Sequence, residues 1–204
     1  MSIEVRAIGT RRNNAELIAD CATLGYLRTA DTVLDPTYGR GRFWTNWQPV
    51  LPVVKADLHY QHLAVVKAWD FTALPLDTRS YDAVTFDPPY KLNGTPGGRG
   101  AATSDESYGV HRRATWQERH QLIADGIKEC ARVAHRTLLI KCQDQVVSGR
   151  KRWQTRLFAD HAEDQGFTLV DMLHVQGYRK QPDGRRQVHS RGDYSTLLVL
   201  ERAT

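Results

Sequence analysis

A chain of 204 residues can bury one sizeable core and is short for two, so a single domain without a separate recognition domain is expected. With 41% hydrophobic and 25% charged residues, disorder along the whole chain is excluded, and no apolar run is long enough to span a bilayer. The net charge of +5 is local: residues 148–156 carry Arg150, Lys151, Arg152 and Arg156 without an acid, residues 177–192 carry Arg179, Lys180, Arg185, Arg186 and Arg191 against Asp183, and the rest is net acidic. Such stretches are either solvated loops or the rim of a polyanion site.

Residues 1–10 lack the apolar core of a signal peptide, which makes the cytoplasm the expected location and membrane association an unexpected one. A helix is predicted over residues 14–24, capped by Asn13 or Asn14 and stopped at Gly25. The first strand, 32–35, runs into Asp35-Pro36-Thr37-Tyr38-Gly39-Arg40-Gly41, where two glycines permit a tight turn and close approach to a ligand. Pro49 stops the aromatic stretch 43–47, so the first crossover helix must be short. Strands at 52–57 and 64–68 lead to Asp57 and to Asp70-Phe71. The strand at 83–86 delivers Asp87-Pro88-Pro89-Tyr90, and a glycine-rich loop at 91–114 follows with Arg99, His111, Arg112 and Arg113.

A second helix is predicted over 116–134, with Thr115 and Glu118 spaced as a capping box. The strand at 137–141 ends at Lys141 to Gln143, which could face a substrate. Trp153, amid the arginines of the basic loop 148–156, either stacks on a base or anchors a third helix, 153–165, and the anchor is the favoured reading. Strands at 168–175 and 196–201 flank Pro182-Asp183-Gly184, a turn signal for a closing antiparallel hairpin. Cys21, Cys130 and Cys142 lack metal-ligand spacing, and neither a zinc site nor a disulfide framework is expected.

Seven short strands alternating with helices describe a doubly wound, mostly parallel α/β sheet, whose ligands bind beyond the carboxyl ends of the strands. Acids stand at three successive strand ends. Asp57, about twenty residues after Asp35, is spaced to accept from ribose hydroxyls, and Asp70 could accept from an adenine amino group while the backbone or ring of Phe71 holds the base. A pyrophosphate loop would need a third small residue where Trp44 stands.

The tetrapeptide at Asp87 arises by chance in about one chain per thousand of this length, and less often at a strand end. Its residue types suit one task. An exocyclic amine of adenine or cytosine is a weak nucleophile because its lone pair is delocalised into the ring. Asp87 and a backbone carbonyl near Pro88 can each accept one N–H and favour a more tetrahedral nitrogen, Pro88 and Pro89 stiffen the backbone, and Tyr90 offers a face for an unstacked base.

This set resembles the class I S-adenosylmethionine-dependent amino-methyltransferases of DNA, whose motif here is Asp/Asn/Ser-Pro-Pro-Tyr/Phe. The resemblance spans residues 31–202 and implies a Rossmann-like fold, methyl transfer to adenine N6 or cytosine N4, and S-adenosylmethionine as cofactor. It also implies a cofactor site lined by Asp35, Pro36, Tyr38, Gly39, Gly41, Asp57, Asp70 and Phe71. The target base would then sit at Asp87, Pro88, Pro89 and Tyr90. Nucleic acid, DNA before RNA, is the expected partner, through Arg99, Arg112, Arg113, Arg150, Lys151, Arg152, Arg185 and Arg186. RNA base methylation and a nucleic-acid-binding module on an inactive fold remain the alternatives. Whether the chain acts as a monomer or a homodimer stays open.

Overall fold

The computed structural model describes residues 12–58, 66–92, 115–177 and 188–203. In chain order it holds α1 (Asn14–Thr23), β1 (Val33–Asp35), a 3₁₀ turn (Arg42–Trp44), β2 (Val54–Lys55), β3 (Tyr81–Phe86), α2 (Trp116–Val133), β4 (Ala134–Cys142), β5 (Gln145–Val147), β6 (Arg150–Arg152), α3 (Gln154–Glu163), β7 (Phe167–Gln176) and β8 (Tyr194–Arg202).

The helix signals act as expected. The Asn13 side chain accepts from Glu16 N at 3.0 Å, and Gly25 takes φ 86° just past the end of α1. Thr115 Oγ1 accepts from Glu118 N at 3.2 Å while Glu118 Oε2 accepts from Thr115 N at 2.6 Å, which closes the capping box of α2. Pro49 limits the first crossover to the single 3₁₀ turn.

The main sheet has the order β2-β1-β3-β4-β8-β7, with β8 antiparallel to both neighbours and the other paired strands parallel. Six strands are described where seven are predicted. The segment 64–68 contributes only a parallel bridge from Lys67 to Ala56, on the β2 edge where a seventh strand would lie, and residues 59–65 fall outside the described set. A second correction concerns the basic run 148–156, expected as a loop. Its first half instead supplies the turn and the returning strand of the antiparallel hairpin β5–β6, because Ser148 (φ 50°) and Gly149 (φ 74°) are the two successive left-handed residues that a two-residue hairpin turn requires.

The sheet is covered on both faces, so its central strands read as continuous apolar runs. On one side α2 and α3 pack against Val84, Phe86, Leu138, Ile140, Leu198 and Leu200. On the other, α1 and the 3₁₀ turn pack against Val33, Ala83, Leu139, Leu197 and Val199. Cys21, Cys130 and Cys142 are buried in these layers as small apolar residues.

The approach of α2 is set by Gly126, where a Cβ would lie 2.6 Å from Phe86 Cζ and 2.7 Å from Phe71 Cδ2. Gly126→Ala is therefore expected to destabilise the fold by about 1–3 kcal/mol through overpacking, against the gain of about 1 kcal/mol that alanine brings to an open helix site. Urea unfolding distinguishes the two signs.

Candidate active site

The carboxyl ends of β1 and β3 lie side by side, and the two segments that follow them are joined by one residue. Asp35, 3% exposed at the end of β1, accepts from Trp44 Nε1 at 2.7 Å, from Thr37 N at 3.0 Å and from Thr37 Oγ1 at 3.4 Å. Thr37 Oγ1 in turn accepts from Asp87 N at 2.8 Å, so the loop after β1 and the tetrapeptide after β3 hold each other in register. Burial raises the Asp35 carboxyl to about 7; the bonds from Trp44 and Thr37 work against that, and the nearby Asp87 adds to it.

The loop turns back through left-handed glycines, Gly39 at φ 53° and Gly41 at φ 70°. Asp57, just beyond β2, accepts from Gly39 N at 2.8 Å, which places a carboxylate oxygen directly on the turn. The Tyr38 ring lies over Gly41, close enough that a Cβ there would meet Tyr38 Oη, and Lys55 Nζ stands 5.1 Å from the Tyr38 ring centroid. Pro36 is buried beneath the turn.

Asp70 is exposed, with Oδ1 accepting from Thr72 N at 2.9 Å and from Thr72 Oγ1 at 2.7 Å. Phe71 packs edge-on to Phe86 with ring centroids 5.2 Å apart, so its ring belongs to the core and its backbone is what stands beside Asp70.

Asp87 is half-buried at the end of β3, and among the described residues its carboxylate accepts no hydrogen bond. Burial raises it to about 6, with the charge of Lys141 pulling the other way. Lys141 is 1% exposed at the end of β4 and donates to Asn14 Oδ1 at 2.6 Å, which ties the first turn of α1 to this corner; burial lowers its pKa while Asp87 opposes the shift. Tyr90 N donates to Pro88 O at 2.7 Å, folding the tetrapeptide into a tight turn.

The far end of the tetrapeptide is held by buried glutamines that sequence reasoning did not single out. Tyr90 O accepts from Gln145 Nε2 at 2.6 Å and from Gln154 Nε2 at 2.9 Å, and Leu92 N donates to Gln145 Oε1 at 3.2 Å. Gln143 N donates to Gln154 Oε1 at 3.4 Å. Hairpin β5–β6 and the start of α3 are thus moored to Tyr90.

Of the basic residues, Arg150, Lys151 and Arg152 lie on that hairpin, whereas Arg99, Arg112, Arg113, Arg185 and Arg186 lie outside the described residues. The Arg152 guanidinium carbon sits 3.7 Å from the Trp116 ring centroid. The reading of Trp153 as a helix anchor is corrected. It is 57% exposed, and α3 is capped instead by Asp144, which accepts from Thr155 N at 3.0 Å and Thr155 Oγ1 at 2.9 Å.

No family model matches the sequence, and no curated protein matches it. Solved structures do. Magnesium protoporphyrin IX methyltransferase of Synechocystis PCC 6803 with bound SAH aligns at TM-score 0.56 and 14% identity over 93% of this chain and 81% of its own. A Bacillus halodurans protein assigned as a methyltransferase aligns at TM-score 0.57 and 15% identity over 92% of this chain and 99% of its own. A Pyrococcus horikoshii protein assigned as an RNA methyltransferase aligns at TM-score 0.57 and 12% identity over 100% of this chain and 90% of its own. At such identities the likeness establishes the fold alone, and that fold is the Rossmann-like one of methyltransferases, with a mostly parallel sheet and one reversed strand.

Proposed function

We propose that this chain transfers a methyl group from S-adenosylmethionine to an exocyclic amino group of a base in DNA, adenine N6 or cytosine N4. The observation that carries the reading is Asp87: a half-buried carboxylate without a hydrogen-bond donor among the described residues, on a backbone fixed from both sides by Thr37 and Tyr90. Its remaining acceptor capacity is what an amino group would use.

The residues present suit the cofactor. Asp35 and Asp87 put two carboxyl groups at the corner between β1 and β3, which favours a cationic sulfonium, and Asp57 on the Gly39 turn would accept from ribose hydroxyls. Asp35, Pro36, Tyr38, Gly39, Gly41, Asp57, Asp70 and Phe71 would hold the group. When bound, S-adenosylmethionine supplies an electrophilic methyl. Asp87 and the second lone pair of the Pro88 carbonyl would each accept one amino hydrogen and aim the nitrogen lone pair. Tyr90 would stack on the base. Arg150, Lys151 and Arg152, with Arg99, Arg112, Arg113, Arg185 and Arg186, would meet phosphates.

Asp87 works only when ionised. Its carboxyl is raised to about 6, so kcat/KM is expected to rise about tenfold per pH unit below that value and to level off above about pH 7. A pH–rate profile on one oligonucleotide checks this; a flat profile between pH 5 and 8 would remove Asp87 from the reaction.

A second reading moves the same chemistry to RNA, since an Asp-Pro-Pro-Tyr corner can hold an amino group in either strand type and the Pyrococcus horikoshii neighbour is assigned to RNA. Incubation with labelled S-adenosylmethionine and, in parallel, duplex DNA, single-stranded DNA, tRNA and rRNA tests both. Label in DNA supports the first reading and label in RNA alone the second. Label in none leaves the inactive binding module.

A further inference from the structure

We infer that Trp153 and Lys151 form a stacking platform for an unpaired nucleobase next to the one at Tyr90, a role that rests on the nucleic-acid reading above. Three observations carry it.

The first is the tryptophan itself. A 57%-exposed indole contributes little to the core, and α3 does not need it, since Asp144 supplies the cap and Gln154 roots the turn. The second is the charge upon it. Lys151 Nζ stands 4.6 Å from the ring centroid, with Arg150 exposed beside it and no acid between residues 148 and 156. With the Lys151 ammonium over one face, the exposed indole has its other face for a flat base while the cation meets an anionic phosphate, which matches a nucleotide. An apolar protein segment would leave these cations unmatched.

The third observation is the connection to the tetrapeptide. Gln154, the residue after Trp153, donates to Tyr90 O at 2.9 Å, and Gln145, paired with Arg152 at the same open end of the hairpin, donates to the same oxygen at 2.6 Å. Arg152, stacked on Trp116, stiffens the hairpin's returning strand. Trp153 therefore lies one residue from a side chain bonded to the Tyr90 backbone, and the ligand the platform would take is the nucleotide next to the one at Tyr90. Stacking is tolerant of base identity, so this site would hold the strand without reading its sequence.

The test uses the full chain and a fluorescent single-stranded DNA oligonucleotide, with affinity read by anisotropy. Trp153→Ala is expected to weaken binding about tenfold, Trp153→Phe to restore most of it, and Lys151→Ala to reduce the salt slope by about one. Melting temperature and S-adenosylmethionine affinity should stay as in the wild type, since neither the core nor the β1 loop is touched. Unchanged affinity in Trp153→Ala, beside a wild type that binds and methylates the oligonucleotide, overturns the platform and leaves the methyltransferase reading standing. A large fall in melting temperature would return Trp153 to a structural role and overturn it too. A wild type that binds neither DNA nor RNA overturns both.

Discussion

Asp87→Ala is expected to lower turnover by about 10²- to 10³-fold while S-adenosylmethionine affinity stays within about twofold. The separation follows from where Asp87 is tied. Its backbone N–H, which survives the substitution, carries the link to Thr37 and so to the loop after β1. Its carboxylate accepts no hydrogen bond among the described residues, so its removal strands no donor, and what it takes away inside the protein is the negative charge that opposes the fall of the buried Lys141 pKa. Removing it also relieves Asp35 of a neighbouring negative charge, which works against any loss of structure in the cofactor loop. Single-turnover kinetics beside calorimetric titration with the cofactor read the two quantities independently. A large loss of cofactor affinity with normal turnover at saturation would contradict the role.

Substitution of Asp35 should have the opposite profile. Asp35→Ala strands the buried Trp44 indole N–H and the Thr37 N–H, each worth about 1–3 kcal/mol when left unpaired, and it loosens the Thr37 bridge between the β1 loop and the tetrapeptide. Cofactor affinity is expected to fall by about tenfold or more, together with stability.

Asp35→Asn separates geometry from charge. The folded carboxyl is raised to about 7 from an unfolded value near 3.8, so the folded state binds the extra proton. The stability this group contributes is complete below about pH 4 and is lost as pH rises through about 7, up to roughly 4 kcal/mol if the whole shift is realised. Wild-type stability against denaturant should thus decline over that window. In Asp35→Asn, which cannot ionise, the decline should flatten. An equal slope in the two proteins would show that Asp35 is not a titrating group of the fold.

The sheet was legible in the sequence because each central strand is a short apolar run buried on both faces, and the helix starts were legible because Asn13 and the Thr115–Glu118 pair are local signals. The two misreadings have local causes as well. Residues 64–68 form an apolar run whose only described ladder contact is one bridge, and the Ser148-Gly149 turn was hidden inside a run conspicuous for its charge.

The places of Asp35, Asp57 and the tetrapeptide just after β1, β2 and β3 could be read because short apolar runs mark where those strands stop, whereas Asp70 follows only an isolated bridge. What holds them could not. Thr37 reaches Asp87 across 50 positions, Gln145 reaches Tyr90 across 55 and Gln154 across 64, and nothing in a single polar residue announces such a partner. For Trp153 the favoured of two readings was the wrong one for a related reason, since an aromatic at a helix start looks the same in sequence whether it is buried or presented.

The central claim is that Asp87, Pro88, Pro89 and Tyr90 direct a methyl group to a base amino nitrogen, and the most direct test identifies the atom that carries it. Wild-type protein is incubated with S-adenosylmethionine and DNA, the product is digested to nucleosides, and these are separated by liquid chromatography with mass detection. The expected product is N6-methyldeoxyadenosine or N4-methyldeoxycytidine, absent when Asp87→Ala replaces the wild type. A methyl on a ring carbon, or product formed equally by the two proteins, would contradict the account.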